Sequence, residues 1–202
     1  MPRLILASTS TYRRALLEQL GEPFEAAPPG IDESIAKAAG GPPRQVVELL
    51  ALQKAEAVSA GQPEAVVIGS DQAAVLDGEV LGKPGSEANA AAQLQQLSGR
   101  QHQLITAVAV VHPGGRARFT DVTNLVMRRL EDWEIASYVR RDQPLDCAGS
   151  YKFESHGEAL FERVETRDKT AIMGLPLARL RTTLRALGFG CSASSTLGFD
   201  FP

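Results

Sequence analysis

The chain predicts an α/β fold built on a mixed sheet, and three observations carry that expectation. Val66-Val67-Ile68 is an apolar, β-branched run of the kind found in buried central strands. Segments with helical apolar periodicity, such as the one from Pro43 to about Ala60, alternate with such runs. The long stretch "HQLITAVAVVHPGGRARFTDVTNLVMRRL" reads as two strands joined at "HPGG", which adds antiparallel pairing to an otherwise parallel pattern.

The elements follow in order. "RLILAS" is a short buried strand, and "TYRRALLEQLG" a helix that stops at Gly21. "PFEAAPPGIDES" reads as loop. Pro42 and Pro43 suit the first turn of the next helix and Gly61 suits its stop. After Val66-Val67-Ile68, the residues from Ala73 to Leu81 read as a hairpin around Asp77-Gly78, which leaves "GSDQ" at the end of a strand. Ser86 is the expected N-cap of a helix to Leu97, with Gly99 just beyond it. Glu131 to Arg141 is helical, "PLDCAGSYKFESHGEALFERVE" a polar loop with one strand, and "LPLARLRTTLRALG" a last helix. The 202 residues suit one domain over residues 1–188, followed by a Gly/Ser-rich flexible tail over 189–202.

Composition narrows the function classes. The net charge of -3 implies no general attraction to nucleic acid or membrane surfaces, so any anion binding must be local. Cys147 and Cys191 are far apart and without metal-type spacing, which suits a reducing compartment. No stretch approaches the roughly 20 apolar residues of a membrane span, and the opening "MPRLILAS" is too short in apolar residues for a signal peptide. A soluble, cytoplasmic protein is expected.

The first loop, "ASTSTYRR", puts Ser8, Ser10, Arg13 and Arg14 between a strand and a helix. A helix N-terminus attracts phosphate, hydroxyls add neutral donors, and a guanidinium adds a planar charged fork. The same residues also fit a plain N-cap flanked by solvated arginines. Asp71 in "GSDQ" could hold a cation or take a proton from water, or simply form a turn. Lys83 in "GKP", Glu33 in "GIDES" and Lys54 in "LQKAEA" each read, alone, as surface charges. His102, His112 and His156 lack zinc-like spacing, and no nucleophile elbow occurs. Cys147 reads as a buried structural thiol, and Met127 and Trp133 as core or partner contacts.

In order along residues 2–185, "LILASTSTYRR", "IDES", "QKA", "IGSDQ", "GKP" and "CAGSYKFE" together resemble the Maf family of nucleoside triphosphate pyrophosphatases. "GSDQ" and "CAGSYKFE" are similar to its 7-methyl-GTP pyrophosphatase subgroup. The resemblance implies a three-layer α/β/α fold with a mixed twisted sheet, like that of inosine triphosphate pyrophosphatases, with two lobes around a cleft. It implies a homodimer, a nucleoside triphosphate substrate and a divalent metal, Mg²⁺ or Mn²⁺. By position, Asp71 corresponds to the proton acceptor, with Glu33, Lys54 and Lys83 as further catalytic groups and Glu33 and Asp71 as metal ligands. Ser8, Ser10, Arg13 and Arg14 fall at substrate-binding positions, and Tyr12, Gln72 and Glu154 at positions tied to base choice. A delocalised cation such as 7-methylguanine suits an aromatic face at Tyr12 and a carboxylate at Glu154. A pyrophosphatase of the same family acting on dTTP, UTP or another modified nucleotide, and a nucleotide-binding regulator of septum formation, are the alternatives.

Overall fold

A computed structural model describes residues 2–191. Thirteen regular elements run in the order β1 (Leu4–Ala7), α1 (Thr11–Glu18), β2 (Glu25–Ala27), α2 (Glu33–Ala38), α3 (Pro43–Ser59), β3 (Val66–Leu76) and β4 (Glu79–Leu81), then α4 (Glu87–Leu97), β5 (Gln101–His112), β6 (Gly115–Met127), α5 (Asp132–Asp142), β7 (Phe161–Glu165) and α6 (Leu177–Ala186), with three short 3-10 turns among them. The strands form one sheet in the order β2-β1-β3-β5-β6-β7, with β4 beside β3. β1 pairs in parallel with β2 and β3, and every other pairing is antiparallel. The mixed sheet follows from the sequence: a helical crossover links β1 to β3, whereas tight turns at Asp77-Gly78 and Pro113-Gly114 reverse the chain.

β3 organises the molecule. On one edge β1 accompanies it only as far as the Ala7–Gly69 pair, and β4 joins that edge only from Ala74. Residues 70–73 therefore face a gap on that edge while β5 pairs with them on the other. Strand side chains alternate between faces, and β3 uses both. Val67, Ala73 and Val75 pack under α3, with Val47, Ala51 and Ala55 of that helix. On the opposite face Val66 and Ile68 join Leu16, Leu17, Leu180 and Leu184 of α1 and α6. Further along that same face Ala74 and Leu76 join Ala90, Leu94, Ile135 and Val139 of α4 and α5. Helices thus cover both faces, giving three layers, and on one face the two apolar lobes leave Ser70 and Gln72 between them.

Three local expectations are corrected. β3 runs unbroken through "GSDQ", so Asp71 stands inside an 11-residue strand and not at its end. The polar residues there do not end the strand, because they mark where it crosses the gap beyond β1. "PFEAAPPGIDES" contains the edge strand β2 and starts α2, which Asp32 caps through the Ser34 amide. Of the two residues expected as core or partner contacts, Met127 is fully buried and Trp133 is 72% exposed. Past Gly188, Phe189 and Cys191 pack into the cluster beneath α6, and the remainder of the expected tail, 192–202, lies outside the described residues.

Candidate active site

Glycine sets the first half of the site. A Cβ at Gly69 would lie 2.1 Å from the Ala51 carbonyl oxygen and 2.7 Å from the Ala55 amide nitrogen, so only glycine lets α3 lie this close to β3. That approach brings Lys54 of α3 over Asp71. The Lys54 ammonium, its side chain 8% exposed, donates to Asp71 Oδ1 at 2.6 Å and reaches Glu33 Oε1 at 2.7 Å. Glu33 Oε2 in turn accepts from Lys37 at 2.7 Å. Burial alone would raise the Glu33 carboxyl, but the hydrogen bonds and charges of Lys37 and Lys54 outweigh it and hold the group at about 2. Three residues whose sequence spacing ties none of them together thus form one chain of ionised contacts.

The opposite face of the same strand carries the second half. Ser70, fully buried, donates through Oγ to the Gly174 carbonyl at 2.8 Å. The Gln72 amide nitrogen faces three acceptors, Thr106 Oγ1 at 2.7 Å and the Ala171 and Ile172 carbonyls at 2.9 and 3.1 Å. Arg13, one turn into α1, donates from Nε to the Gly174 carbonyl at 3.0 Å. Burial pushes its guanidinium below its ordinary pKa, while the Asp71 and Glu33 charges oppose that. Nη1 and Nη2 of Arg13 have no partner among the described residues, leaving a two-pronged donor.

Above this floor lies a pocket of about 110 Å³ walled by Tyr12, Arg13, Gln72, Lys83, Cys147 and Glu154, among others. The three residues tied by position to base choice therefore meet in one place. The Cys147 thiol stands 3.9 Å from the Tyr12 hydroxyl and 3.5 Å from Asp146 Oδ1. Burial, then Asp146, push that thiol up to about 12, which disfavours the nucleophilic thiolate. The reading of Cys147 as a core thiol is corrected: it is half-buried and lines the pocket. Burial raises the Glu154 carboxyl above its ordinary value, and the nearby Asp142 and Asp146 add to the effect.

The remaining expected residues divide. Ser10 caps α1 by accepting from the Arg13 amide at 3.4 Å, and it also lines the pocket. Ser8 Oγ accepts from the Ser10 amide at 3.1 Å and shapes the turn that aims the helix. Lys83 is exposed at the pocket mouth, with no ion-pair partner among the described residues. Arg14 is directed elsewhere. It is exposed, pairs with Glu18 at 3.4 Å and lines a separate open groove with Phe24 and Glu25. The helix turns it away because consecutive residues lie about 100° apart. Sequence reasoning missed Ser70, Gly174 and Asp146; the signals were the glycine of "IMGLP" and the acidic neighbour in "DCAGS".

The Maf-like protein model matches residues 3–187, nearly the full length of the chain. The chain belongs to the Maf-like protein family. This Maf-like chain is 52% identical over 190 residues to the 7-methyl-GTP pyrophosphatase of Alkalilimnicola ehrlichii, covering 93% of this chain and 94% of that one. It is 46% identical over 189 residues to the 7-methyl-GTP pyrophosphatase of Xanthomonas oryzae pv. oryzae, covering 94% and 98%. Among solved structures its fold is similar to the Staphylococcus aureus Ham1 protein, with a TM-score of 0.53 at 15% identity over 92% of this chain and 99% of that one. A HAM1 protein from Coxiella burnetii gives the same TM-score and identity over 92% and 100%. At that identity the likeness speaks for the Maf-like fold alone.

Proposed function

We propose that this Maf-like protein is a nucleoside triphosphate pyrophosphatase that hydrolyses 7-methyl-GTP to 7-methyl-GMP and diphosphate. One observation carries the reading. β3 presents Asp71, bound to Lys54, on one face, and Gln72 on the other, in a pocket with Tyr12, Glu154 and the free fork of Arg13. The names of the two relatives support the choice of substrate.

The chemistry divides along the strand. Tyr12 offers a ring face to a cationic base, worth about 0.5–2 kcal/mol depending on desolvation. The Glu154 carboxylate accepts from the donor edge of guanine and favours the positive ring. The Arg13 fork and Lys83 take triphosphate oxygens. Asp71 accepts a proton from the water that attacks phosphorus, and the bond to the departing diphosphate breaks. Lys54 fixes the direction of the Asp71 carboxylate and Glu33 fixes Lys54. Asp71 and Glu33 would also hold a divalent cation, Mg²⁺ or Mn²⁺. Among the described residues no group of three His, Cys, Asp or Glu side chains converges. Magnesium held by one or two carboxylates, with substrate phosphates completing its shell, fits that donor set. When bound, the cation neutralises developing phosphate charge.

We place the enzyme in the cytoplasm as a homodimer without a nucleic-acid partner, on its net charge of -3 and its family. Among the described residues no helix is long and apolar enough to cross a membrane. Product analysis tests the reaction: 7-methyl-GTP should yield 7-methyl-GMP and diphosphate in equal amounts. Release of orthophosphate with 7-methyl-GDP would overturn the bond assignment.

A further inference from the structure

Arg13 is held by a single backbone atom, and the same atom is held by the strand that carries Asp71. The Gly174 carbonyl accepts from Arg13 Nε at 3.0 Å and from Ser70 Oγ at 2.8 Å. Ser70 is fully buried and adjoins Asp71 in β3. Gly174 has a φ of +97°, which side chains rarely adopt, and a Cβ there would lie 3.1 Å from Arg13 Nε and 3.5 Å from Nη2. A methyl group there would require the guanidinium to give by a few tenths of an ångström, in addition to straining the backbone. The segment around Gly174 is also tied to β3 and β5, since Gln72 and Thr106 both donate to the Ala171 carbonyl, at 2.9 Å each.

We infer that Gly174 is a positioning residue for the reaction, acting through Arg13, with Ser70 locking its carbonyl in place. The inference rests on the phosphate-binding role proposed above for Arg13. With Nε pinned, the guanidinium plane loses its freedom about the last side-chain bond, and Nη1 and Nη2 are presented to the triphosphate as a fixed pair. Because the second donor to the pin sits next to Asp71, the phosphate fork and the proton acceptor share one rigid reference. The arrangement needs no contact between Gly174 and substrate.

A double-mutant cycle on kcat/KM for 7-methyl-GTP separates this role from a purely structural one. Gly174→Ala in the otherwise native chain should lower kcat/KM by about tenfold, short of the roughly 10²-fold of a 1 Å misplacement because the guanidinium gives by only a few tenths of an ångström. In an Arg13→Ala background the same change should cost no more than about twofold, because the residue it positions is gone. Ser70→Ala, which leaves the backbone unstrained, should lower activity about tenfold alone and show the same non-additivity with Arg13→Ala. Thermal unfolding of each variant identifies loss of fold, and if Gly174→Ala does not fold, the Ser70 cycle decides. Additive losses would overturn the inference while leaving Arg13 as a substrate ligand. A neutral Arg13→Ala would overturn both.

Discussion

Asp71 and Lys54 show how single residues gain meaning from their surroundings. Asp71→Asn keeps the size of the side chain and removes its basicity, so kcat should fall by about 10²–10⁴-fold, while the fold survives because Lys54 keeps Glu33 as its ion-pair partner. A folded variant with near-native kcat would exclude Asp71 as proton acceptor. Lys54 sits between two carboxylates with its side chain 8% exposed, and Lys54→Met would leave both acids without their shared partner. Breaking a buried pair in this way costs about 3–5 kcal/mol, and denaturant titration should show a loss toward the lower end because Glu33 keeps Lys37 and partial solvent access. His102 provides a test away from the site. It is buried with Tyr151 Oη 3.0 Å from Nε2, and burial pushes its imidazole from 6.5 down to about 4. The unfolded chain therefore binds a proton that the folded chain refuses as pH falls from 6.5 to about 4, so stability falls across that window and levels off below it. The loss is roughly 3 kcal/mol, and His102→Gln should flatten the slope of unfolding free energy between pH 7 and 4.

The elements explain what could and could not be read from the chain. Ser86, Gly61 and Gly99 marked helix ends correctly, because caps and stops are local chemistry. β2 escaped notice because "EAA" has no β-branched residue and owes its pairing to β1 alone. β3 looked like two elements because its central residues serve the gap in the sheet and not the core. Glu33 and Lys54 resembled surface charges for a related reason: their partners lie in other elements, 21 and 17 residues away from Lys54 respectively for Glu33 and Asp71. The resemblance, and not the residue pattern, supplied the roles expected of them. Gly69 tests the element scale directly. Gly69→Ala must drive α3 off β3, since its methyl would meet backbone at 2.1 Å. Overpacking of this kind costs about 1–3 kcal/mol or more, and Lys54 should move with the helix. Both the unfolding midpoint and kcat should fall; a variant with native activity would show that the α3–β3 spacing does not set the Lys54–Asp71 contact.

For the molecule as a whole, function follows from a sheet that changes neighbours midway along its central strand. β1 stops, β4 has not begun, and two apolar lobes flank the opening, so the Arg13 guanidinium, Asp71 and the pocket of Tyr12 and Glu154 can converge without disturbing the core. The central claim is that the pocket selects a cationic purine. It is tested most directly by the ratio of kcat/KM for 7-methyl-GTP to that for GTP, measured in the native enzyme and in Glu154→Gln. The Glu154 charge favours the methylated ring, so the native ratio should stand well above one and Glu154→Gln should bring it down by about tenfold, the scale of one charge-assisted contact. A native ratio near one, or a ratio that Glu154→Gln leaves unmoved, would contradict the account.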